Sequence, residues 1–322
     1  MSSSHGRFVW YELMTTDVEA AKAFYGKVVG WGTRQAPNSP YTLFTAGQAS
    51  TSGLTNLPPD AKKGGARPQW VGYISVDDVD DAANRVKQLG GTIHIPPTDA
   101  GDISRFSVVA DPQMAAFVLV EWSDPDRQPP NDPGALGHVG WHELLATDWE
   151  RAFTFYREIF GWQKIAADVG TTGTYQQFSA AGHALGGMFN KPAAAPVAFW
   201  LYYFNVVDVA AAAERVRAER GTILEGPTDI PGGGRVARCA DPQGAMFALI
   251  GRQDDKAVGY FERDASPGSS ARASWSRQSA RIPAAPAPNL QSPIHCRVRL
   301  QTARPGPQCR NRSLSFVQTD RY

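Results

Sequence analysis

Large side chains alternate between two faces along the first strand-like stretch of the chain, Phe8 to Leu13. Because neighbouring residues of a β-strand point to opposite faces, the pattern predicts a strand with Phe8, Trp10 and Glu12 on one face. Val9, Tyr11 and Leu13 are predicted to lie on the other. One carboxylate therefore shares a face with large aromatic rings, where an unpaired charge is costly to bury.

A helix is predicted immediately after this strand. Its apolar residues recur at intervals of three and four positions, and so predict one buried stripe made by Val18, Ala21, Tyr25 and Val28. Thr16 and Glu19 have the spacing of a capping box, in which both side chains satisfy free backbone amides at the helix start. Gly30 is predicted to end the helix.

The same pattern occurs a second time, 131 positions later along the chain. The stretch from Phe8 to Trp31 matches the stretch from Val139 to Trp162, and the match aligns Glu12 with Glu143. A repeat of this length predicts two homologous domains before any propensity is considered.

Later segments extend the repeat and define its limits. An Ala-Asp-Pro-Gln turn occurs at Asp111 and again at Asp241, and each domain itself repeats the order strand, helix and short strands. The chain is therefore predicted to be an α+β protein of four similar modules. Its domains are expected at residues 7–123 and 137–251, with a linker at 124–136 and a tail at 252–322.

Four βαβββ modules paired into two curved sheets are the plan of the vicinal oxygen chelate superfamily, which this chain resembles over residues 7–251. The motifs that carry the resemblance are the two Asp-x-x-x-Ala-x-x-Phe-Tyr helices followed by Gly-Trp, and the two Ala-Asp-Pro-Gln turns. The resemblance implies two cup-shaped domains of the glyoxalase-like kind. It does not imply one reaction, because the family includes glyoxalase I, extradiol dioxygenases, and fosfomycin- and bleomycin-resistance proteins.

The resemblance also implies where a divalent metal would be held, and these positions carry no metal ligands. The first-strand position falls on Trp10 and Trp141, and the strands at 53–57 and 186–190 contain no carboxylate. The remaining positions are occupied by Val71, Leu201, Val118 and Ala248. We therefore expect neither a metal nor another cofactor.

A substitute metal site in the second domain is the alternative. His138 and His142 are four residues apart on one predicted strand and so share a face, and His183 follows later. We expect that face to be the outer one, where metal binding would be adventitious. The favoured interpretation is that these are surface or hydrogen-bonded histidines.

Each predicted cup instead carries an indole and a carboxylate, Trp10 with Glu12 and Trp141 with Glu143. The carboxylate is either a general base or ligand anchor, whose pKa burial would raise, or a scaffold group paired with a buried arginine. Both interpretations remain open on the sequence alone.

Four further residues are predicted to contact a ligand. Arg105 and Arg235 occupy matching positions before the two Asp-Pro turns and are the candidates for pairing with the carboxylates or for holding an anion. Tyr41 and Tyr175 begin strands where the rim of each cup is expected.

Composition favours a soluble protein in the cytoplasm. Hydrophobic residues make up 42% of the chain, no apolar run approaches the length of a membrane span, and the start lacks an apolar signal segment. The tail holds eleven arginines and Lys256 against five acidic residues, a net charge of +7, so the rest of a chain with net charge +1 carries −6. An acidic body predicts no nucleic-acid binding. A monomer or a homodimer is expected.

The tail is rich in Arg, Ser and Pro without periodicity, and such a segment buries too little apolar surface to offset its ordering entropy. We interpret it as a disordered extension, whose composition is also typical of out-of-frame translation of a GC-rich gene end. A basic arm for nucleic acid or another acidic surface is the alternative.

Two functions follow from these features. The first is a metal-independent enzyme that acts on a small carbonyl or other polar metabolite, with Glu12 or Glu143 as base. The second is a binding protein of the bleomycin-resistance type, which sequesters a planar ligand without turning it over. The two differ in whether the bound ligand is changed.

Deletion of residues 265–322 tests the interpretation of the tail. The melting temperature of the truncated protein is expected to equal that of the full chain, because an unpacked segment adds little to the cooperative transition. A fall of several degrees in a calorimetric scan would show instead that the tail packs on the domains.

Overall fold

A computed structural model describes residues 4–36, 41–124, 132–170, 173–193, 195–230 and 233–252. Most of the predicted linker and all of the tail beyond residue 252 lie outside these ranges.

Four βαβββ modules follow one another along the chain, which confirms the predicted α+β architecture. The first domain consists of β1 (Phe8–Thr15), α1 (Val18–Val28), β2 (Gly32–Gln35), β3 (Thr42–Ala46), β4 (Ala49–Asn56), the short α2 (Pro59–Lys63), β5 (Gln69–Ser75), α3 (Val79–Gln88), β6 (Thr92–Ala100), β7 (Ser104–Ala110) and β8 (Ala116–Trp122). The second consists of β9 (Val139–Ala146), α4 (Trp149–Phe160), β10 (Gln163–Gly170), β11 (Gly173–Ala180), β12 (His183–Asn190), β13 (Phe199–Asn205), α5 (Val209–Ala218), β14 (Thr222–Ile230), β15 (Gly234–Ala240) and β16 (Met246–Arg252).

Each domain forms one eight-stranded mixed sheet, with the order β2-β3-β4-β1-β5-β8-β7-β6 in the first and β10-β11-β12-β9-β13-β16-β15-β14 in the second. The first strand of each domain lies near the centre, parallel to the last strand of its own module and antiparallel to the first strand of the next. Residues of these central strands are therefore flanked on both sides. No helix among the described residues is long and apolar enough to cross a membrane.

The helices begin one residue later than the capping-box pattern predicts. Asp17, not Thr16, is the N-cap of α1, and its carboxylate accepts a hydrogen bond from the amide of Ala20 at 3.0 Å. Because Glu19 then occupies the second helical position, it cannot complete the box. An aspartate caps α3, α4 and α5 in the same way, at positions 78, 148 and 208.

A β-bulge changes the predicted faces of β1. The pairing of β1 with β5 shifts register between Phe8 and Trp10. Phe8 therefore lies with Tyr11 in the core shared by the two domains, whereas Trp10 lies on the opposite face of the sheet. The alternation from Trp10 onward is as predicted, but the placement of Phe8 with Trp10 and Glu12 is wrong because a bulge reverses the alternation at one residue.

The helix-bearing faces of the two sheets pack against each other and share one continuous aromatic core. Within it, Phe204 of the second domain lies 4.8 Å from Trp31 and 5.0 Å from Trp70 of the first, measured between ring centroids. Such edge-to-face contacts add to the free energy of burial. The other face of each sheet is left free to form a cup.

Reciprocal hydrogen bonds connect the repeated helix and turn motifs across the two domains. The hydroxyl of Tyr25 on α1 donates to Asp241 at 3.1 Å, and that of Tyr156 on α4 donates to Asp111 at 3.1 Å. The other oxygen of each aspartate accepts two backbone amides of its own turn. The Phe-Tyr and Ala-Asp-Pro-Gln motifs are thus two halves of one interdomain contact.

The Gly-Trp motifs also bind across the domains. The indole of Trp31 donates to the carbonyl of Gly137 at 2.7 Å, and that of Trp162 donates to the carbonyl of Gly6 at 2.7 Å. Both acceptor glycines have positive φ, and a Cβ on Gly137 would lie 3.0 Å from the indole nitrogen of Trp31. The close approach of the indole therefore requires glycine at this position.

His142 lies in the interdomain core and not on an outer face, so that prediction is wrong. Its Nδ1 donates to the carbonyl of Leu185 at 2.6 Å, and its Nε2 accepts from the hydroxyl of Tyr11 at 2.7 Å. Phe8 stacks on the ring at 4.1 Å. The side chain is buried, and not exposed as expected, because the face of β9 that carries His142 packs against the first domain. Burial lowers the pKa of His142 to about 4.

Acid is expected to weaken the interdomain contact through His142. A histidine whose folded pKa is depressed stabilises the protein fully above its unfolded pKa, and this contribution is lost as pH falls through the folded value of about 4. The change between pH 6.5 and pH 4 amounts to about 3 kcal/mol. The difference in unfolding free energy between the wild type and His142→Gln should therefore shrink over this range. His183→Gln, a change at an exposed histidine, is the control and should follow the wild type; a constant difference for His142→Gln would contradict the assignment.

Candidate functional site

The face of each sheet opposite the shared core carries a separate cluster of buried side chains. We call the first cup one and the second cup two. Cup one contains Val9, Trp10, Ala36, Tyr41, Leu43, Val71, Tyr73, Ala100, Phe106, Val118 and Val120. Cup two contains Trp141, Leu145, Leu201, Tyr203, Ala248 and Ile250, with Phe189 and Val236 packed against them.

Glu12 is the buried carboxylate of cup one and is only 4% exposed. The hydroxyl of Tyr41 donates to its Oε2 at 2.9 Å, and the hydroxyl of Tyr73 donates to the same oxygen at 2.8 Å. Trp10 approaches the Tyr41 hydroxyl with its indole nitrogen, at 3.4 Å. Among the described residues, nothing donates a hydrogen bond to Oε1 of Glu12. Oε2 is thus held by two hydrogen bonds, and the lone pairs of Oε1 are available to accept another.

A glycine makes this arrangement possible. Gly53 of β4 is paired with Glu12 in the sheet, and a Cβ at this position would lie 1.6 Å from the hydroxyl of Tyr41. Cup two has the matching arrangement: Gly187 is paired with Glu143 in the sheet, and a Cβ on Gly187 would lie 2.2 Å from the ring of Tyr175. In both cups the missing side chain lets a tyrosine lie across the strand beside the carboxylate.

Burial dominates the electrostatics of cup one. Desolvation raises the pKa of Glu12, and the two tyrosine hydrogen bonds lower it by less. Desolvation also raises the pKa values of Tyr41 and Tyr73, and the nearby charge of Glu12 raises them further. The tyrosines therefore remain protonated donors, and Glu12 binds a proton more readily than an exposed carboxylate does.

Glu143 is the matching carboxylate of cup two, and it has a cationic partner. Arg238 of β15 donates from Nη2 to Oε2 of Glu143 at 2.8 Å, and the hydroxyl of Tyr203 donates to the same oxygen at 2.5 Å. Trp141 donates to the hydroxyl of Tyr175 at 2.7 Å. The two cups therefore share a carboxylate, a tryptophan and tyrosines but differ in charge.

The predicted pairing of Arg105 and Arg235 with these carboxylates is wrong. Arg105 pairs with Asp80 at 2.6 Å and with Asp99 at 2.6 Å, and Arg235 pairs with Asp229 at 2.8 Å. Phe106 faces cup one, so the alternation of β7 turns its neighbour Arg105 to the helix-bearing face. Neither arginine reaches a cup, and neither can hold a ligand there.

Three residues of the two sites were missed by the sequence analysis. Tyr73 and Tyr203 lie two positions after Val71 and Leu201, the residues assigned to the family's metal positions, so strand alternation could have found them. Arg238 shares a face with Val236 in the same way. Its match in the first domain is Val108, however, so the repeat itself gave no signal for an arginine at this position.

The donor set of neither cup fits a divalent metal. The carboxylate of Glu12 accepts hydrogen bonds from neutral tyrosines, and the guanidinium of Arg238 beside Glu143 would repel a cation. The side chains of Val71 and Leu201 offer no ligand atom. Within the described ranges there is no group of three or more His, Cys, Asp or Glu side chains that could hold a metal ion.

The histidines do not supply a substitute site. His138 is buried near the start of β9, and desolvation lowers its pKa, whereas His183 is exposed at the start of β12. His142 uses both ring nitrogens in the interdomain core. The sequence interpretation of hydrogen-bonded or surface histidines agrees with the positions of His142 and His183.

Comparison with known proteins shows similarity along both domains. The family model described as Glyoxalase/Bleomycin resistance protein/Dioxygenase superfamily matches residues 7–119 and again residues 135–249. CFP32 of Mycobacterium tuberculosis, which its name assigns provisionally to the glyoxylases, is 33% identical over 245 residues, covering 75% of this chain and 93% of CFP32. The anthracycline biosynthesis protein DauV of Streptomyces sp. strain C5 is 29% identical over 266 residues, covering 76% of this chain and 93% of DauV.

Solved structures show the same fold at low sequence identity. The Mn(II)-bound glyoxalase from Novosphingobium aromaticivorans has a TM-score of 0.56 and 14% identity, covering 80% of this chain and 87% of the other. The 2,3-dioxygenase LapB from Pseudomonas sp. KL28 has a TM-score of 0.54 and 12% identity, covering 78% and 93%. The repeated modules, the shared sheet plan and the two family-model matches lead to one conclusion: the chain belongs to the glyoxalase/bleomycin resistance protein/dioxygenase superfamily.

Proposed function

We propose that this protein is a metal-independent enzyme that transfers a proton on a small carbonyl compound, with Glu12 of cup one as the general base. One observation carries the proposal. Glu12 is a buried carboxylate that accepts hydrogen bonds from two neutral tyrosine hydroxyls, and no cation lies beside it among the described residues. Acids with a raised pKa and no compensating charge occur preferentially at functional sites.

The environment of Glu12 suits a general base. Desolvation raises its pKa, and a base is most effective when its pKa approaches the working pH. Tyr41 and Tyr73 hold Oε2, which fixes the carboxylate group while Oε1 remains able to accept a proton. Burial among aromatic side chains raises the proton affinity of the carboxylate.

A purely structural role would not require a charge at this position. A glutamine could accept the same two tyrosine hydrogen bonds through its carbonyl oxygen, and it would avoid the free energy of burying an ionised group. The acid therefore contributes something other than stability. Residues that serve catalysis commonly lower the stability of the fold that carries them.

The proposed reaction is proton abstraction at the carbon next to a carbonyl group. The C–H electron pair becomes the new carbon–carbon double bond, the carbonyl oxygen takes the negative charge, and Glu12 holds the proton. Return of a proton to the same carbon, after the proton on Glu12 has exchanged with solvent, completes an exchange. Where the carbon that lost its proton carries a hydroxyl group, return of the proton to the former carbonyl carbon, with transfer of the hydroxyl proton to the enolate oxygen, completes an isomerisation. The provisional glyoxylase name of CFP32 is consistent with a small carbonyl substrate.

A ligand-sequestering protein of the bleomycin-resistance type is the second candidate, and the geometry of cup two favours it there. Arg238 neutralises Glu143, so this carboxylate is not a free base, while the surrounding aromatic side chains suit a planar ligand. The name of DauV, an anthracycline biosynthesis protein, is consistent with a planar aromatic ligand.

Glu12→Gln and Glu143→Gln form a matched pair that tests the proposal. Hydrogen–deuterium exchange at carbon in hydroxyacetone and dihydroxyacetone, followed by proton NMR, is expected to fall at least about a hundred-fold in Glu12→Gln, as for loss of a general base. Glu143→Gln should retain most of the exchange.

The stabilities of the two variants should change in opposite directions. Glu12 has a raised folded pKa, so its contribution is complete below its unfolded pKa and is lost as pH rises through the folded value. The unfolding free energy of Glu12→Gln, relative to that of the wild type, should therefore increase as pH rises from about 4. Glu143→Gln should lower the unfolding free energy by about 1 to 3 kcal/mol at neutral pH. The loss is limited because Arg238 remains paired with Glu225 and is partly exposed to solvent. Unchanged exchange in Glu12→Gln, or no catalysed exchange by the wild type, would contradict the catalytic proposal.

Chelation tests the proposed independence from metals. Carbon-bound proton exchange by the wild type should be the same before and after prolonged dialysis against EDTA, because neither cup provides a fitting set of ligands. Stoichiometric zinc, nickel, manganese or iron that remains after dialysis and is lost in Glu12→Gln would overturn this prediction.

A further inference from the structure

Cup two has a charged feature for which cup one has no counterpart. The aligned partners Ile95 and Val108 of the first domain become Glu225 and Arg238 in the second. These residues lie on neighbouring strands at the same register, so the change converts one apolar cross-strand pair into an ion pair. The two cups therefore differ in the charges that lie beside their carboxylates.

The guanidinium of Arg238 is fixed from several sides. Nη2 donates to Glu143 at 2.8 Å, Nε donates to the hydroxyl of Tyr203 at 3.2 Å, and the group lies 5.3 Å from the ring centre of Phe189. The Glu143 side chain is only 7% exposed, whereas that of Arg238 is 24% exposed. Glu143 thus anchors the cation from the buried side, and the cation extends toward solvent.

Glu225 occupies the remaining side of this cation. It accepts a hydrogen bond from Nη1 of Arg238 at 2.5 Å, and its side chain is 49% exposed. Exposed ion pairs contribute little stability because water and salt compensate for their separation. Glu225 can therefore turn into solvent at small cost, and Glu143 cannot.

Arg238 also has unused hydrogen-bonding capacity. A guanidinium carries five N–H groups, and three hydrogen bonds are made to the described residues. Release of Glu225 would free a third N–H group. The planar arrangement of these groups matches a carboxylate, which arginine binds in bidentate fashion.

We propose that cup two is a binding site for an aromatic carboxylate, in which Arg238 holds the ligand's carboxylate in place of Glu225 and Glu143 acts as the positioning residue. The ring of Phe189, which is only partly buried and lies 5.3 Å from the guanidinium, supplies apolar contact for the aromatic part. Among the described residues, cup one has no cation beside its carboxylate, so cup one does not share this preference. The inference does not depend on catalysis by Glu12, because it rests on residues of the second domain.

The test uses a matched pair of probes, 2-naphthoate and its uncharged amide 2-naphthamide, in calorimetric titrations of the full chain. The wild type is expected to bind naphthoate more tightly than naphthamide. Glu225→Gln removes the competing carboxylate at an exposed position and should tighten naphthoate binding about two- to five-fold, with naphthamide unchanged.

Two variants remove the cation of Arg238, and the second tests whether lost binding is due to a destabilised fold. Arg238→Met should weaken naphthoate binding by about ten-fold or more, but it leaves Glu143 buried without its cation. The double variant Glu143→Gln with Arg238→Met buries no unpaired charge, and it should show the same loss. Glu12→Gln is the control and should bind naphthoate as the wild type does, even if it has lost proton exchange.

The outcomes separate this inference from the catalytic proposal. Equal binding of naphthoate and naphthamide, no binding of naphthoate at millimolar concentration, or weaker naphthoate binding in Glu225→Gln would each overturn the assignment of cup two. Loss of naphthoate binding in Glu12→Gln but not in the double variant would place the anion in cup one, and would overturn it as well. None of these results changes the exchange test for Glu12.

Discussion

The reciprocal contact between the Phe-Tyr helices and the Asp-Pro turns is the constraint on which the rest of the structure depends. Each tyrosine receives a hydrogen bond from a tryptophan of its own domain, Trp70 or Trp200, and donates to an aspartate of the other domain. Each aspartate uses its second oxygen to close its own turn, so a change in either domain disturbs the turn of the other. Because these polar groups lie inside an aromatic core, each hydrogen bond must be made for the core to be stable.

This shared core determines where function can be located. It contains one face of both sheets together with the large apolar side chains of the helices, and so leaves the opposite faces to vary. The cups retain a common frame, in which a glycine on the neighbouring strand lets a tyrosine lie beside the central carboxylate. Within that frame, the cross-strand pair Ile95 and Val108 of the first domain is replaced by Glu225 and Arg238 in the second, which places a cation beside the carboxylate of cup two.

Much of the fold could be predicted because the alternation of strand residues and the spacing of apolar helix residues recur in both domains. The alternation after the bulge placed Trp10 and Glu12 together, and the spacing of the helix residues predicted Tyr25 on the buried side. The failures concern relations between strands and domains. A bulge at Phe8, the partner of Arg105 on α3 and the contact of Tyr156 with Asp111 depend on which elements become neighbours, and one sequence does not contain that information. Arg238 was missed for a further reason: comparison of the repeats emphasises what the two domains share, whereas this residue distinguishes them.

The difference between the two carboxylates follows from elementary electrostatics. A buried acid can be stabilised by an opposite charge or can remain uncompensated with a raised pKa, and the two solutions favour different chemistry. Glu143 has the first solution, and the arginine that stabilises it becomes a fixed cation with N–H groups to spare. Glu12 has the second, with neutral donors on one oxygen and lone pairs on the other. The two domains thus carry two copies of the same buried acid, and the replacement of the apolar pair Ile95 and Val108 by Glu225 and Arg238 gives only one of these acids a cationic partner.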